Sequence, residues 1–205
     1  MTRDEMLADL AHARTLAEEG RNAPLIGGSF SVFFGVLLTI CYGLQWAVLT
    51  GAAPIPTDMI GAIWVVFGVL ALTGSALLSR RVRNLPGGAA IPNRVDRNVW
   101  QGVMFALLAV VAGTIVRLAV QDDFTAPDAI VAAGFGLYGV ALYATATVGG
   151  HLWLRTFAFA SWIVSGVLWY FLGEPWLYLL AAGACVAVLI VPGLITMRHE
   201  PKTVV

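Results

Sequence analysis

The sequence predicts an all-α integral membrane protein: a six-transmembrane-helix bundle built as three helical hairpins, with the N and C termini cytoplasmic. Three observations carry this. Of the 205 residues, 59% are hydrophobic and only 12% charged, at a mean hydropathy of +0.83, whereas a soluble domain carries about 25% charged residues. The apolar residues come in long blocks instead of a half-polar period, and a run of about 20 such residues spans a bilayer core. The basic residues, finally, gather on alternate sides of the blocks.

The chain divides into residues 1–22, a cytoplasmic amphipathic helix; 23–198, the six-span domain; and 199–205, a cytoplasmic tail. Thr2 and Glu5 form a capping-box pattern, and Met6, Leu7, Leu10, Ala13 and Ala17 recur at helical spacing. Gly20 is a stop, and Pro24 restarts the chain. This leader sets Arg3, Arg14 and Arg21 against Asp4, Glu5, Asp9, Glu18 and Glu19. Membrane-surface helices are usually basic, because the inner leaflet is anionic. A mildly acidic one is expected to dock on a basic loop or on a cytoplasmic protein partner through residues 2–20.

The six runs are 25–49, 58–79, 99–120, 128–149, 153–172 and 176–197. The first starts behind an acidic segment and is too long for a signal peptide's apolar region, so it is expected to stay as a span. Cys41 and Cys185 fall inside runs and read as small buried hydrophobes. Between the second and third runs lies a loop with Arg80, Arg81, Arg83, Arg94 and Arg97 and one aspartate. Pro86, Gly87, Gly88 and Pro92 are expected to break helices there and leave a flexible connector. The arginines fix topology and are candidate contacts for anionic lipid or a partner.

Arg155, Arg198 and Lys202 fall on the same side as that loop, while the opposite connections carry Asp58, Asp122, Asp123, Asp128 and Glu174. Positive charge marks the cytoplasmic side, which places the chain in the cell inner (plasma) membrane as a multi-pass protein. Trp100 and Trp153 at one set of ends, and Trp46, Trp169 and Trp176 at the other, suit the headgroup level. A shift of 71 residues places Pro56 on Pro127, Gly68 on Gly139 and Phe34 on Phe105, a faint hairpin repeat of the kind found in transporters.

The stretch GFGLYG carries Gly134, Gly136 and Gly139 at dinucleotide-motif spacing. A true fingerprint follows a strand and has an acid about 20 positions later. Here the context is a membrane helix and that acid is missing, so no cofactor is expected. The glycines read instead as a small face that lets neighbouring helices approach, which puts the fourth span mid-bundle. Gly136, Gly139, Tyr138, Tyr143 and Trp162 are the candidate packing or cavity residues. Arg117, Asp122 and Asp123 form a candidate charge cluster at the outer mouth, with Arg117 snorkelling toward the acids. No Asp, Glu or Lys is read as lying well inside a span, and His12, His151 and His199 do not make up a haem or zinc ligand set. Pro192 and Gly193 are expected to kink or end the sixth helix.

These readings point away from catalysis and from nucleic acid. They favour a non-enzymatic sensor, regulator or assembly partner in the lipid bilayer. The alternative is a small transporter or channel for a neutral or lipophilic solute.

Overall fold

A computed structural model describes residues 24–200 apart from 84, 86 and 89. The leader at 2–20 and the tail beyond Glu200 lie outside the described residues. What is described is helical and forms no strand. The helices are α1 (Gly28–Leu49), α2 (Ile60–Arg83), α3 (Ile91–Gln121), α4 (Asp128–Val148), α5 (Leu154–Tyr170) and α6 (Trp176–Arg198). Five are long and apolar enough to cross a membrane. The exception is α5, whose 17 residues reach about 25 Å at 1.5 Å per residue, the lower limit for a span.

Prolines and glycines set the boundaries. Pro127 and Pro175 immediately precede α4 and α6. Gly51 and Gly173 take positive φ just past α1 and near the end of α5, a conformation that a β-carbon disfavours. The connector expected across 80–97 is much shorter than the sequence implied. α2 runs to Arg83 and α3 already starts at Ile91, with Pro92 in its first turn. Pro92 starts a helix here because its missing N–H is one that the first turn leaves unpaired anyway. Arg94 and Arg97 therefore stand on α3.

Pro192 and Gly193 do not end the sixth helix. A π-helical turn at Val186–Ile190 precedes them, and the helix continues to Arg198. Proline lacks an N–H and presses on the carbonyl four residues back. Widening the turn accommodates both.

Consecutive helices pack as α1–α2, α3–α4 and α5–α6, while α1 also packs along α6 and α4 along α5. The core is thus α1, α4, α5 and α6, centred on Phe135, Leu168, Leu177 and Cys185. Helix α2 packs mainly on α1, and no residue of it is buried. Helix α3 buries only Pro92, Asn93, Asp96 and Val103. Their outer faces carry Val65, Leu72, Phe105 and Val120, each at least 67% exposed. Such faces suit hydrocarbon surroundings and not water. The architecture is compatible with a membrane bundle.

Helices α1 and α6 approach with their backbones close together at two glycines. A β-carbon built on Gly28 would stand 2.7 Å from the Gly193 carbonyl oxygen, and one on Gly193 would stand 3.0 Å from that of Gly28. Gly35 is equally tight against Ile190. Small residues are what permits this approach, where lipid tails compete with every larger apolar contact. Of the pairs matched by the 71-residue shift, Val69 and Val140 are both exposed, but the paired glycines differ. Gly68 faces open space, whereas Gly139 lies under Trp162.

Candidate functional site

Helix α4 is held to α5 by side-chain donors acting on backbone carbonyls. Ser161 Oγ donates to Phe135 O at 2.7 Å, Ser165 Oγ to Ala132 O at 2.7 Å, and Trp162 Nε1 to Gly136 O at 3.0 Å. The antiparallel course of the two helices matches these steps. Gly139 makes room for the indole: a β-carbon there would stand 2.3 Å from Trp162 Nε1. Tyr143 stacks on Trp162 with ring centroids 5.8 Å apart, and the Arg155 guanidinium lies 5.0 Å above the Tyr143 ring.

Four of the five candidates, Gly136, Gly139, Tyr143 and Trp162, therefore meet, and Trp162 fills the space between them. Tyr138 points elsewhere, stacking on Trp100 at 6.0 Å and Phe135 at 5.7 Å. Helical spacing puts Ala129, Ala132, Ala133, Gly136, Val140, Tyr143 and Thr147 on one face with Gly139 at its edge, and the buried face lies partly round the helix from it. Val140, Tyr143 and Thr147 are exposed, and Ala132, Phe135, Gly139 and Ala146 are buried. Gly134, Ala141 and Thr145, a second small patch by the same spacing, are buried as well. Gly136→Leu is expected to displace Ser165, whose Oγ would be 3.3 Å from an added β-carbon. Overpacking of this kind costs about 1–3 kcal/mol, measurable by denaturant unfolding in mixed micelles.

At the end where α3 meets α4, Arg117 Nη2 pairs with Asp123 Oδ2 at 2.8 Å. The Thr125 hydroxyl and backbone N–H hold the Asp123 carboxyl below its usual range, and Arg117 adds to this. Asp122 is exposed and ends α3 with φ 52°. Arg117 is 60% exposed, and such pairs contribute little. Arg117→Ala is accordingly expected to leave the thermal midpoint within error of wild type.

The opposite end of the bundle gathers the arginines. Arg80, Arg81 and Arg83 lie in the last turn of α2, with Arg94 and Arg97 near the start of α3, and all five are exposed. Beside them Asn93 latches the chain that leads into α1. Its Oδ1 accepts from Ile26 N at 3.1 Å, and its Nδ2 donates to Pro24 O at 2.9 Å and Gly87 O at 3.0 Å.

Two carboxyl groups that the sequence places in connections are buried. Asp96, counted there with the arginine loop, is 9% exposed and accepts a hydrogen bond from the Thr145 hydroxyl. Trp100 lies beside it. Asp128, read as one of the acids of the outer connections, is 6% exposed. It accepts from the Tyr178 hydroxyl and, at 2.8 Å, from Gly173 N. Gln45 and Trp64 continue this second cluster, Trp64 Nε1 donating to Gln45 Oε1 at 2.7 Å, with Tyr42 stacked on Trp64 at 5.4 Å. The two acids occupy opposite ends of the core, Asp96 at the arginine-rich end.

Around Asp96 lies a small cleft lined by Gly27, Ser31, Trp100, Thr145, Gly193 and Thr196 among others, with room for a few water molecules. Glu200 also faces the start of α1, where burial raises its carboxyl above the ordinary range against the N–H groups of Gly28 and Ser29 and the charge of Arg81. A carboxylate there suits the helix dipole.

No protein-family model, no curated protein and no solved structure matches the chain.

Proposed function

We propose that the chain is a multi-pass protein of the cell inner membrane, with both termini cytoplasmic, that acts without catalysis as a sensor, regulator or assembly partner. The observation that supports this is the exposed arginine end. Five guanidinium groups stand free of the core there, on two helices that bury almost nothing else. Asn93 pins residues 24–26 beside them, and the acidic leader precedes these residues in the sequence. Opposite charges held close bias which partner docks and in what orientation more than they add raw affinity. In this reading the leader and the arginines together form the partner surface.

The experiment compares partners captured from native membranes by the full chain, by a chain lacking residues 2–20, and by an Arg80→Glu, Arg81→Glu, Arg83→Glu variant. The reading expects a specific partner whose recovery falls at least tenfold in both altered chains. An unchanged set of partners in both overturns it. The transport alternative draws its support from the Asp96 cleft and not from α4, because Trp162 fills the α4–α5 seam.

A further inference from the structure

Three hydroxyls line the Asp96 cleft, and each has its single proton engaged. Ser31 Oγ donates to Leu189 O at 2.8 Å, Thr196 Oγ1 donates to Pro192 O at 2.9 Å, and Thr145 Oγ1 donates to Asp96 itself. A hydroxyl has one donor and two acceptor lone pairs. With the proton engaged, only lone pairs remain for the cleft. The carboxyl group of Asp96 adds more acceptors, and Asp96 Oδ2 lies close to Gly27, where an added β-carbon would be only 2.8 Å away.

The helix beside the cleft is also interrupted. A π-turn at Val186–Ile190 stands just before Pro192, and Ser31 Oγ donates to the Leu189 carbonyl within it. Carboxylate and hydroxyl oxygens are ligand types of hard cations, and irregular helices are where membrane proteins place such sites. The size of the cleft excludes a large organic ion.

We infer that the Asp96 cleft is a binding site for a small monovalent cation, held by the Asp96 carboxylate with the lone pairs of Thr145, Ser31 and Thr196. Sodium, potassium and ammonium share this chemistry. Choline is too large to enter. The site does not depend on the partner reading, because it is tested on the purified protein alone.

The test measures the thermal midpoint of the full chain in detergent, titrating sodium, potassium or ammonium chloride against choline chloride at constant ionic strength. A ligand that binds only the folded state raises the midpoint with concentration. At least one of the three is expected to raise it saturably, and Asp96→Asn is expected to weaken the response at least tenfold. Should Asp96→Asn fail to fold, Thr196→Val, which keeps the carboxyl group, is expected to weaken it several-fold. Equal midpoints in all four salts overturn the inference. So does a response that Asp96→Asn or, in its place, Thr196→Val leaves unchanged.

Discussion

Gly28→Leu is expected to be the most damaging single substitution in the described chain, lowering stability by about 3 kcal/mol or more. The reason is what stands opposite. A β-carbon at Gly28 would meet the Gly193 carbonyl oxygen at 2.7 Å and Met197 N at 2.8 Å. Both are backbone atoms of α6 and cannot rotate away as a side chain can. The helices must separate, which also strains the Ser31–Leu189 hydrogen bond and the Gly35–Ile190 contact one and two turns further along. Gly139→Leu meets the Trp162 ring instead, a side chain with some freedom to move, and so should be damaging but less so. Unfolding of the three proteins in mixed micelles ranks them. If Gly28→Leu is as stable as wild type, α1 and α6 do not cross at Gly28 and Gly193.

Asp128→Ala is expected to cost about 2–4 kcal/mol, chiefly the penalty for leaving the buried Tyr178 hydroxyl without an acceptor. Two donors are orphaned, the Tyr178 hydroxyl and Gly173 N, both of which converge on this carboxyl. The Tyr178 ring is buried against Tyr42, so its hydroxyl has no free route to water. Asp128→Asn keeps one acceptor oxygen and should lose roughly half as much. Tyr178→Phe should reduce the harm of Asp128→Ala, since the unpaired hydroxyl is then gone. A double-mutant cycle between positions 128 and 178 is expected to show a coupling of about 1–2 kcal/mol. Additive effects would mean that the two side chains do not meet.

Much of this architecture was legible in the sequence because bilayer spans announce themselves by length and composition. The residues that shape the two ends were harder to read. Pro92 looked like a helix breaker among Pro86, Gly87 and Gly88, yet a proline in a first turn promotes a helix. With α3 starting at Ile91, Asp96, Trp100 and Val103 fall on one face at helical spacing. That period, begun at Pro92, is the signal that would have exposed Asp96 as an inward residue. Asp128 was misread for a related reason. Acids at a helix start usually suit the dipole in solvent, and what buries this one is Tyr178, a residue 50 positions away.

The glycines teach a similar lesson. Gly134, Gly136 and Gly139 stood out by their spacing, and Gly139 is tightly enclosed. The pair in backbone contact, Gly28 and Gly193, lies at opposite ends of the chain. Nothing local links them, because their proximity follows from α1 packing along α6. The direction of a small face was also harder to read than its existence. On α4 the buried line runs through Ala132, Phe135, Gly139 and Ala146 and includes a large aromatic ring, so residue size alone could not mark it.

The most direct test is of membrane topology. Cys41 and Cys185 are buried and can be replaced by alanine to give a cysteine-free chain. Single cysteines are then placed at Gly88 in the arginine-rich connector and, at the opposite end, at Ala53 and Thr125. A membrane-impermeant thiol reagent is applied to cells whose inner membrane is intact but reachable from outside. Labelling of Ala53→Cys and Thr125→Cys in intact cells, with Gly88→Cys labelled only after permeabilisation, is the expected result. Labelling of Gly88→Cys in intact cells, or of all three from the same side, would contradict a six-span bundle with its arginines facing the cytoplasm.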